Sequence, residues 1–245
     1  DVTINGGKIS TSGKNYSYGI NVDGDITVTG GEIAKHLYGG GKVSAESTEL
    51  TVEGGTVGQD VYGGLLIKNA TETISLGESN LTVSGGTFNQ YVVGGSRVTA
   101  ADTTTTHTAG KVNLTLTGGD FAFAGTNTDP GASIFGAGYV QGFDNTAAVN
   151  AQYQVAESYV TVATDITGAV YGGAFVSKFG LAQVDKANIT VSSGSVDRVF
   201  GGGWAQTNGI SNVGDVNILI ENSAKVGTIY VGGGNDISGA TNVTG

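Results

Sequence analysis

The side chains that could perform acid–base or nucleophilic chemistry are few in this sequence and lie far apart. The chain has two histidines and no cysteine. His36 stands where two strands of the repeat described below should meet, and His107 stands in the threonine-rich run TTTTHT. Neither histidine has a Ser, Cys or carboxylate at the spacing of a catalytic triad or a metal pair. We therefore expect both imidazoles to be solvated.

Carboxylates and arginines give no clearer signal for catalysis. The only arginines, Arg97 and Arg198, belong to different copies of the repeat. A glycoside hydrolase needs two carboxyl groups on either side of the scissile bond, and no spacing indicates such a pair among the dispersed acids, for example Asp120, Asp129, Asp144 and Asp165. The sequence predicts no catalytic, cofactor-binding or metal-binding residue, and hence a protein that is not an enzyme. A single Gly-Gly-Asn-Asp run at 233–236 is too little for tandem calcium-binding nonapeptides.

Charge and composition exclude several classes of protein. The 245 residues carry a net charge of −10 with only 11 Lys and Arg, so the surface repels phosphate backbones and nucleic acid is not an expected partner. No apolar run reaches the roughly 18 residues of a membrane helix, so we expect no membrane insertion by this segment. The absence of methionine means that Asp1 is not a translation start. We expect a single domain over 1–245 that is a fragment of a longer repeat protein.

The chain is organised by a repeat whose clearest copy is LTVEGGTVGQDVYGGLLI at 50–67. Self-similarity of this kind predicts a repeat architecture before any function. The first apolar residue of each LTV-like triplet marks the copies, and these residues are Val2, Ile26, Leu50, Leu81, Leu114, Val160, Ile189, Ile218 and Val243.

Three more positions recur within each copy. About seven residues after the marker stands a second apolar residue: Ile9, Ile33, Val57, Phe88, Phe121, Ile166, Val196 and Val226. An apolar–aromatic–glycine group follows, beginning at Leu37, Val61, Val92, Ile134, Val170 and Val199, with Tyr230-Val231-Gly232 as a last member whose aromatic comes one place early. Six residues past the apolar member of each group lies a final apolar residue: Val43, Ile67, Val98, Val140, Val176, Ala205 and Ile237.

Alternation of apolar residues with threonine predicts short strands with one buried face, and glycine pairs such as Gly54-Gly55 predict bends between strands. The residue before the marker favours asparagine, which indicates stacked amides about 4.8 Å apart in a parallel β-solenoid. We expect an all-β, right-handed parallel β-helix of about eight coils. The residues of this column are Asp1, Asp25, Glu49, Asn80, Asn113, Tyr159, Asn188, Asn217 and Asn242.

Two further columns, one of threonines and one of aromatic residues, are candidates for binding surfaces. Threonine follows the marker at positions 3, 27, 51, 82, 115, 161, 190 and 244, as outward strand residues often do; flat threonine faces also occur on ice-binding solenoids, but Glu53 and Ala163 interrupt the second row here. The aromatics form a stripe open to sugar rings or a partner if they face out, and core if they face in. The glycines after them favour aromatics folded over the corner: Tyr38, Tyr62, Phe135, Tyr171 and Phe200.

Length varies mainly between the last apolar column and the next copy, so we expect loops to leave from one edge of the rod. The two largest insertions are Ala122–Ser133 and Gln141–Ser158. Loops on one edge of a solenoid often form its binding face. A carbohydrate-active β-helix enzyme with its site in the insertions at 122–133 and 141–158 is the alternative to a non-enzymatic protein.

The coils LTVSGGTF…YVVGGSRV and ITVSSGSVDRVFGGGWA, acidic and free of cysteine, resemble the passenger regions of bacterial autotransporters and related large surface adhesins. The resemblance covers nearly the whole chain. It implies a right-handed β-helix at the bacterial cell surface, outside the outer membrane, with adhesion or self-association as its role. The partners it implies are a host or bacterial surface glycan or protein. Self-association would use open coil ends, since Val243-Thr244-Gly245 begins another coil.

Overall fold

The computed structural model describes residues 1–10, 24–100, 104–121, 133–143, 149–235 and 238–244. These residues form 21 strands, all joined in one sheet, and no helix. The strands are β1 Val2–Ile9, β2 Ile26–Ile33, β3 Leu37–Gly40, β4 Ala45–Val52, β5 Thr56–Val57, β6 Val61–Lys68, β7 Ile74–Val83, β8 Thr87–Phe88, β9 Val92–Val93, β10 Arg97–Thr99, β11 Thr105–Leu116, β12 Ser133–Phe135, β13 Tyr139–Gln141, β14 Ala151–Ala163, β15 Ile166–Tyr171, β16 Phe175–Ser177, β17 Gly180–Phe200, β18 Trp204–Gln206, β19 Ile210–Tyr230, β20 Gly234–Asn235 and β21 Ala240–Val243.

Equivalent residues of successive copies lie directly over one another in parallel strands, so the fold is the expected parallel β-solenoid. Eight coils at about 4.8 Å each give a rod roughly 38 Å long. The marker residues pair in one unbroken column of Val2, Ile26, Leu50, Leu81, Leu114, Val160, Ile189 and Ile218.

The main core runs along the rod axis and contains the predicted apolar columns. The marker, the residue two places on and the apolar residue seven places on all point inward, as do the apolar members of the aromatic groups. Leu50, Val52 and Val57 illustrate one coil, each at most 1% exposed. The stacking removes from water a surface that a single coil could not bury.

Glycine pairs follow the triplet in the first five coils, whereas the coils that start at Val160, Ile189 and Ile218 have no such pair. The second glycine has a positive φ, 91° at Gly31 and 85° at Gly55. The first glycine is needed for another reason, because a Cβ on Gly54 would lie 2.5 Å from the Thr29 carbonyl oxygen of the coil below. Only a residue without a side chain permits the strands to turn in such close contact.

The segment just before the marker residue, which the sequence analysis assigned to loops, is an additional strand of the coil. In most coils a strand begins five to nine residues before the marker, as in β11 from Thr105 and β14 from Ala151. These segments stack in register and enclose a second apolar cluster, whose central column is Ala45, Leu76, Ala109, Val155, Val184, Val213 and Val243. The loops at this edge are therefore shorter than expected.

The predicted register fails at the last coil. Val243 pairs with Val213, which lies five residues before the marker Ile218, so Val243 belongs to the second core and not to the marker column. Asn242 accordingly hydrogen-bonds to Asn212, with Nδ2 2.8 Å from Oδ1. Asn242 and Thr244 therefore lie outside the predicted asparagine and threonine columns.

Three other column assignments differ from the structure. Tyr230 pairs with Phe200 and Ile229 with Val199, so the aromatic is in register and Val231 takes the place of the glycine. Val43 is 60% exposed and does not join the final apolar column. Ala205 pairs with Asn235, and Ile237 lies outside the described residues.

The outer face of the long arm carries three polar columns side by side. The threonine column is continuous from Thr3 to Thr190 and ends at Leu219. The asparagine column forms amide hydrogen bonds, from Asn113 to Asn80 (2.6 Å) and from Asn217 to Asn188 (3.1 Å), but Tyr159 divides it in two. A third column, not predicted, alternates in charge: Glu78, Lys111, Glu157, Lys186 and Asp215.

Candidate functional site

The aromatic column is buried, so it is not an open platform for sugar rings. Its side chains are at most 8% exposed, from Tyr38 to Phe200, and they stack ring on ring along the rod, with centroids 5.0 Å apart for Tyr38 and Tyr62 and 4.5 Å for Tyr171 and Phe200. They point away from the main core, as expected for side chains folded over a corner. Side chains of the next arm cover them there.

The covering side chains form a column of their own. It consists of the residues just before the final apolar column: Leu66, Arg97, Tyr139, Phe175 and Trp204. Tyr139 stacks on Phe175 with ring centroids 4.8 Å apart, and both belong to the same cluster as the stacked aromatics. We call these two facing columns the aromatic corner. Arg97 is its single charged member.

Arg97 is held among three aromatic side chains. Its Cζ lies 5.8 Å from the ring centroid of Tyr62 and 5.2 Å from that of Tyr139, which is the distance range of cation–π contacts. Its Nη1 donates to the hydroxyl of Tyr38 at 3.3 Å and contacts Nε2 of His36 at 3.1 Å. The side chain thus reaches two coils down the rod.

His36 lies between Asp60 and Arg97. Its Nε2 is 3.1 Å from Nη1 of Arg97, which can only donate. Its Nδ1 accepts from the Asp60 amide at 3.2 Å and lies 3.1 Å from Oδ2 of Asp60. The imidazole thus links the carboxylate of Asp60 to the guanidinium of Arg97.

Asp60 is almost fully buried, and both of its carboxylate oxygens have partners. Oδ2 accepts from the hydroxyl of Tyr62 at 2.9 Å and lies 3.1 Å from Nδ1 of His36, and Oδ1 accepts from the amide of Tyr91 at 3.2 Å. Burial, and secondly the negative charge of Asp60, raise the pKa of the Tyr62 hydroxyl well above its usual value. Tyr62 therefore stays protonated and serves Asp60 as a donor.

In the described part of the chain, no carboxylate lies within 4.0 Å of Arg97. Among the described residues, ion pairs within 4.0 Å join Lys8 to Glu32, His36 to Asp60, and Lys111 to Glu78. The Nε of Arg97 is buried without any hydrogen-bond partner. Buried charges and donors are normally paired, since leaving one unpaired costs free energy. The cluster therefore contains a buried cation, Arg97, with one N–H group that has no acceptor within the described ranges. It offers no free base, because Nε2 of His36 contacts Arg97.

The second histidine lies in the second core, and it is fully buried. His107 Nδ1 lies 2.7 Å from the carbonyl oxygen of Ile74, and Nε2 lies 2.9 Å from the hydroxyl of Ser96. The ring stacks on Tyr153 at 4.7 Å between centroids. Burial lowers the pKa of His107 to about 4, although the hydrogen bond to Ile74 opposes the shift. His107 is neutral, with its proton on Nδ1.

The expectation that both histidines are solvated was therefore wrong. The side chain of His36 is 19% exposed, and residue His107 is 0% exposed. His36 stacks over Asp60 because both precede an apolar–aromatic–glycine group, and His107 lies in β11, not in an insertion. Sequence reasoning missed Arg97, because the residue before the predicted final apolar column is also charged in two other copies, at Lys42 and Asp236.

The insertions proposed for an alternative enzymatic site are only partly described. Residues 122–132 and 144–148 lie outside the described residues. The second insertion is shorter than expected, because β14 already begins at Ala151. Its base is closed by Asn150, whose Oδ1 accepts from the amide of Phe143 at 2.9 Å.

Within the described part of the chain, no group of three or more His, Cys, Asp or Glu side chains is placed to hold a metal ion. No helix there is long and apolar enough to cross a membrane. Comparisons with family models, with curated proteins and with solved structures found no match. A functional proposal therefore depends on the sequence pattern and the geometry of the chain itself.

Proposed function

We propose that this chain is a segment of an extracellular bacterial surface protein, a non-enzymatic β-solenoid of the adhesin type that mediates adhesion or self-association. The proposal rests on the resemblance of its coils to passenger regions of autotransporters and large surface adhesins. It places the protein at the bacterial cell surface, with a surface glycan or protein, or a second copy, as partner.

The observation that supports the proposal is the outer face of the long arm, which repeats the same polar groups from coil to coil. Threonine occupies one column from Thr3 to Thr190, and a neighbouring column alternates in charge through Glu78, Lys111, Glu157, Lys186 and Asp215. A ligand or a second copy therefore meets the same groups at intervals of about 4.8 Å.

Sedimentation velocity over a range of concentrations tests self-association, and binding of chain-coated beads to bacterial and host cells tests adhesion. We expect binding or concentration-dependent growth that Thr161→Lys weakens, because the variant puts a charge on the threonine column. Val43→Lys, at an exposed position outside that column, is the matched control. A chain that stays monomeric and binds no surface would contradict the proposal.

The enzymatic alternative is tested by incubating the chain with host and bacterial glycans and analysing the products. We expect binding to proceed without release of shorter oligosaccharides. Release of a cleavage product would overturn the non-enzymatic assignment and direct attention to the insertions at 122–133 and 141–158.

A further inference from the structure

We infer that the aromatic corner contains a binding site for a carboxylate-bearing sugar, with Arg97 as the residue that pairs with the carboxylate. The inference rests on the proposed adhesive function and names the class of glycan. It is carried by the guanidinium, which has no carboxylate partner among the described residues, and by the half-buried ring of Tyr139 beside it.

The first argument is the cost of Arg97. Removing a charged guanidinium from water is expensive unless a charge partner and hydrogen bonds compensate for it. Here the partners of Nη1 are His36 and the hydroxyl of Tyr38, and no carboxylate among the described residues lies within 4.0 Å of Arg97. A carboxylate ligand would supply both the missing charge and an acceptor for the fork of N–H groups.

The second argument is that packing does not require arginine at this position. Other members of the same column are Leu66, Tyr139 and Phe175, all of which fill the corner with apolar surface. An aliphatic or aromatic side chain would complete the stack without a buried charge. Residues that lower stability where an apolar substitute would fit are characteristic of functional sites.

The third argument concerns the negative charge nearby. Asp60 would repel an anion if its carboxylate faced the ligand. Instead it is 5% exposed, contacts Nδ1 of His36, and accepts hydrogen bonds from Tyr62 and the amide of Tyr91. The carboxylate therefore orients His36 and Tyr62, while Arg97 presents the positive charge of the site.

The rings favour a sugar as the body of the ligand. Tyr139 is the half-buried neighbour of Arg97 in this column, and Trp204, which is also half-buried, lies three coils from Arg97. Trp204 Nε1 is also buried with no hydrogen-bond partner. Amphipathic rings with a few polar donors suit the apolar face and hydroxyls of a sugar. The carboxylate would lie at Arg97 and the chain of sugars would follow the column.

Calorimetric titration of the whole chain with a glucuronate-containing oligosaccharide, and with its glucose counterpart, tests the inference. We expect the glucuronate probe to bind and the glucose probe to bind at least about tenfold more weakly, or ~1.4 kcal/mol. Arg97→Leu should abolish the preference, and Arg97→Lys should retain part of it because a point charge replaces the fork. Arg198→Gln removes the other arginine and should change nothing.

Leu66 in the same column shows that leucine fits there, and circular dichroism confirms the fold of each variant. Unchanged glucuronate binding by Arg97→Leu, or equal binding of both probes, would overturn the site. Tighter, Arg97-dependent binding of a polyglutamate peptide would overturn the assignment to a glycan. Bead adhesion without glucuronate binding would overturn this inference alone. Arg97-dependent glucuronate binding without adhesion to cells would support the site and contradict the proposed function.

Discussion

Arg97 Nη1 lies 3.1 Å from Nε2 of His36, a residue 61 positions earlier in the chain and two coils away. The contact makes one imidazole the link between a guanidinium and the carboxylate of Asp60. The cluster also joins three consecutive coils of the aromatic corner. Tyr62, in the middle coil, contacts the guanidinium of Arg97 with its ring and donates to Asp60 with its hydroxyl. The polar cluster therefore holds neighbouring coils together, and it also places a positive charge in the corner.

Asp60 should be the most sensitive member of this cluster. Asp60→Ala removes the buried carboxylate that contacts His36 and accepts from the hydroxyl of Tyr62 and the amide of Tyr91, which should cost about 3 kcal/mol of unfolding free energy. Urea unfolding followed by circular dichroism measures the loss. Glu46→Ala, at an exposed position, is the control and should change stability by less than ~0.5 kcal/mol. Equal effects of the two substitutions would refute the buried network.

The buried His107 predicts that stability falls in mild acid. Its pKa is lowered from 6.5 to about 4, so between these values the unfolded chain binds a proton that the folded chain does not. Stability is therefore complete above pH 6.5 and is lost as the pH falls to about 4, by about 3 kcal/mol. Tyr153 is the titratable side chain that stacks on the ring, and burial raises its pKa to about 12.

The comparison of wild type with His107→Phe isolates this effect. Phenylalanine keeps the stacking on Tyr153 but cannot titrate, so the difference in unfolding free energy between the two proteins should shrink as the pH falls from 7 to 4. Urea midpoints at several pH values provide the measurement. A difference that stays constant over this range would mean that His107 is not buried in its neutral form.

The alternating charge column should respond to a single reversal. Lys111 lies between Glu78 and Glu157, and Lys186 lies between Glu157 and Asp215. Lys111→Glu would create three successive acidic positions about 4.8 Å apart and should destabilise the rod by about 1 kcal/mol, because like charges face each other across strands.

Salt identifies the cause of that loss. Most of the destabilisation by Lys111→Glu should disappear at about 1 M salt, where charges on the surface are screened within a few ångströms. Lys111→Gln removes the attraction without adding repulsion and should lose less. A loss that is the same at low and high salt would point to packing instead of charge.

The corner glycines predict a sharp positional contrast. A Cβ on Gly63 would lie 2.2 Å from the Gly94 carbonyl oxygen of the next coil, whereas a Cβ on Gly232 meets nothing within 4 Å. Gly63→Ala should therefore cost about 3 kcal/mol or more, and Gly232→Ala close to nothing. Thermal unfolding of both variants tests this. Similar melting temperatures would contradict the close approach of the coils at the corner.

The main core and its register could be predicted from the sequence, because the same type of residue recurs in each column. The marker residues, the asparagine column and the glycine pairs each recur at a fixed place relative to one another. The last coil could not be placed in the same way. The residue types of Asn242 and Val243 fit two different pairs of columns. Only the pairing of β21 with Ile210–Val213 decides between them.

The arm before the marker was missed because one residue per coil interrupts its alternation. Gly77, Gly110 and Gly214 fall between the two halves of the arm, and a glycine there reads as the end of a strand. The structure keeps the strands continuous, with Cβ positions that would contact backbone of the coil below. His107 consequently appeared to belong to a threonine-rich insertion.

The cluster around Arg97 could not be predicted from residue spacing alone. Its members come from coils that are 24, 31 or more residues apart, and their contact depends on how far the chain turns at each corner. The predicted column gave no clear signal either, because Lys42 and Asp236 are charged at the equivalent position of two other copies.

Cysteine cross-linking tests the in-register stack most directly, since the natural chain has no cysteine. Thr115 pairs with Thr161 across a 46-residue interval, and Thr82 lies one coil further away. The structure predicts that Thr115→Cys with Thr161→Cys forms an intramolecular disulfide under mild oxidation, because paired Cα atoms in adjacent strands lie about 5 Å apart. Thr82→Cys with Thr161→Cys, at about twice that distance, should stay reduced. Equal oxidation of both pairs, or oxidation of the second pair alone, would contradict the stack on which the whole account depends.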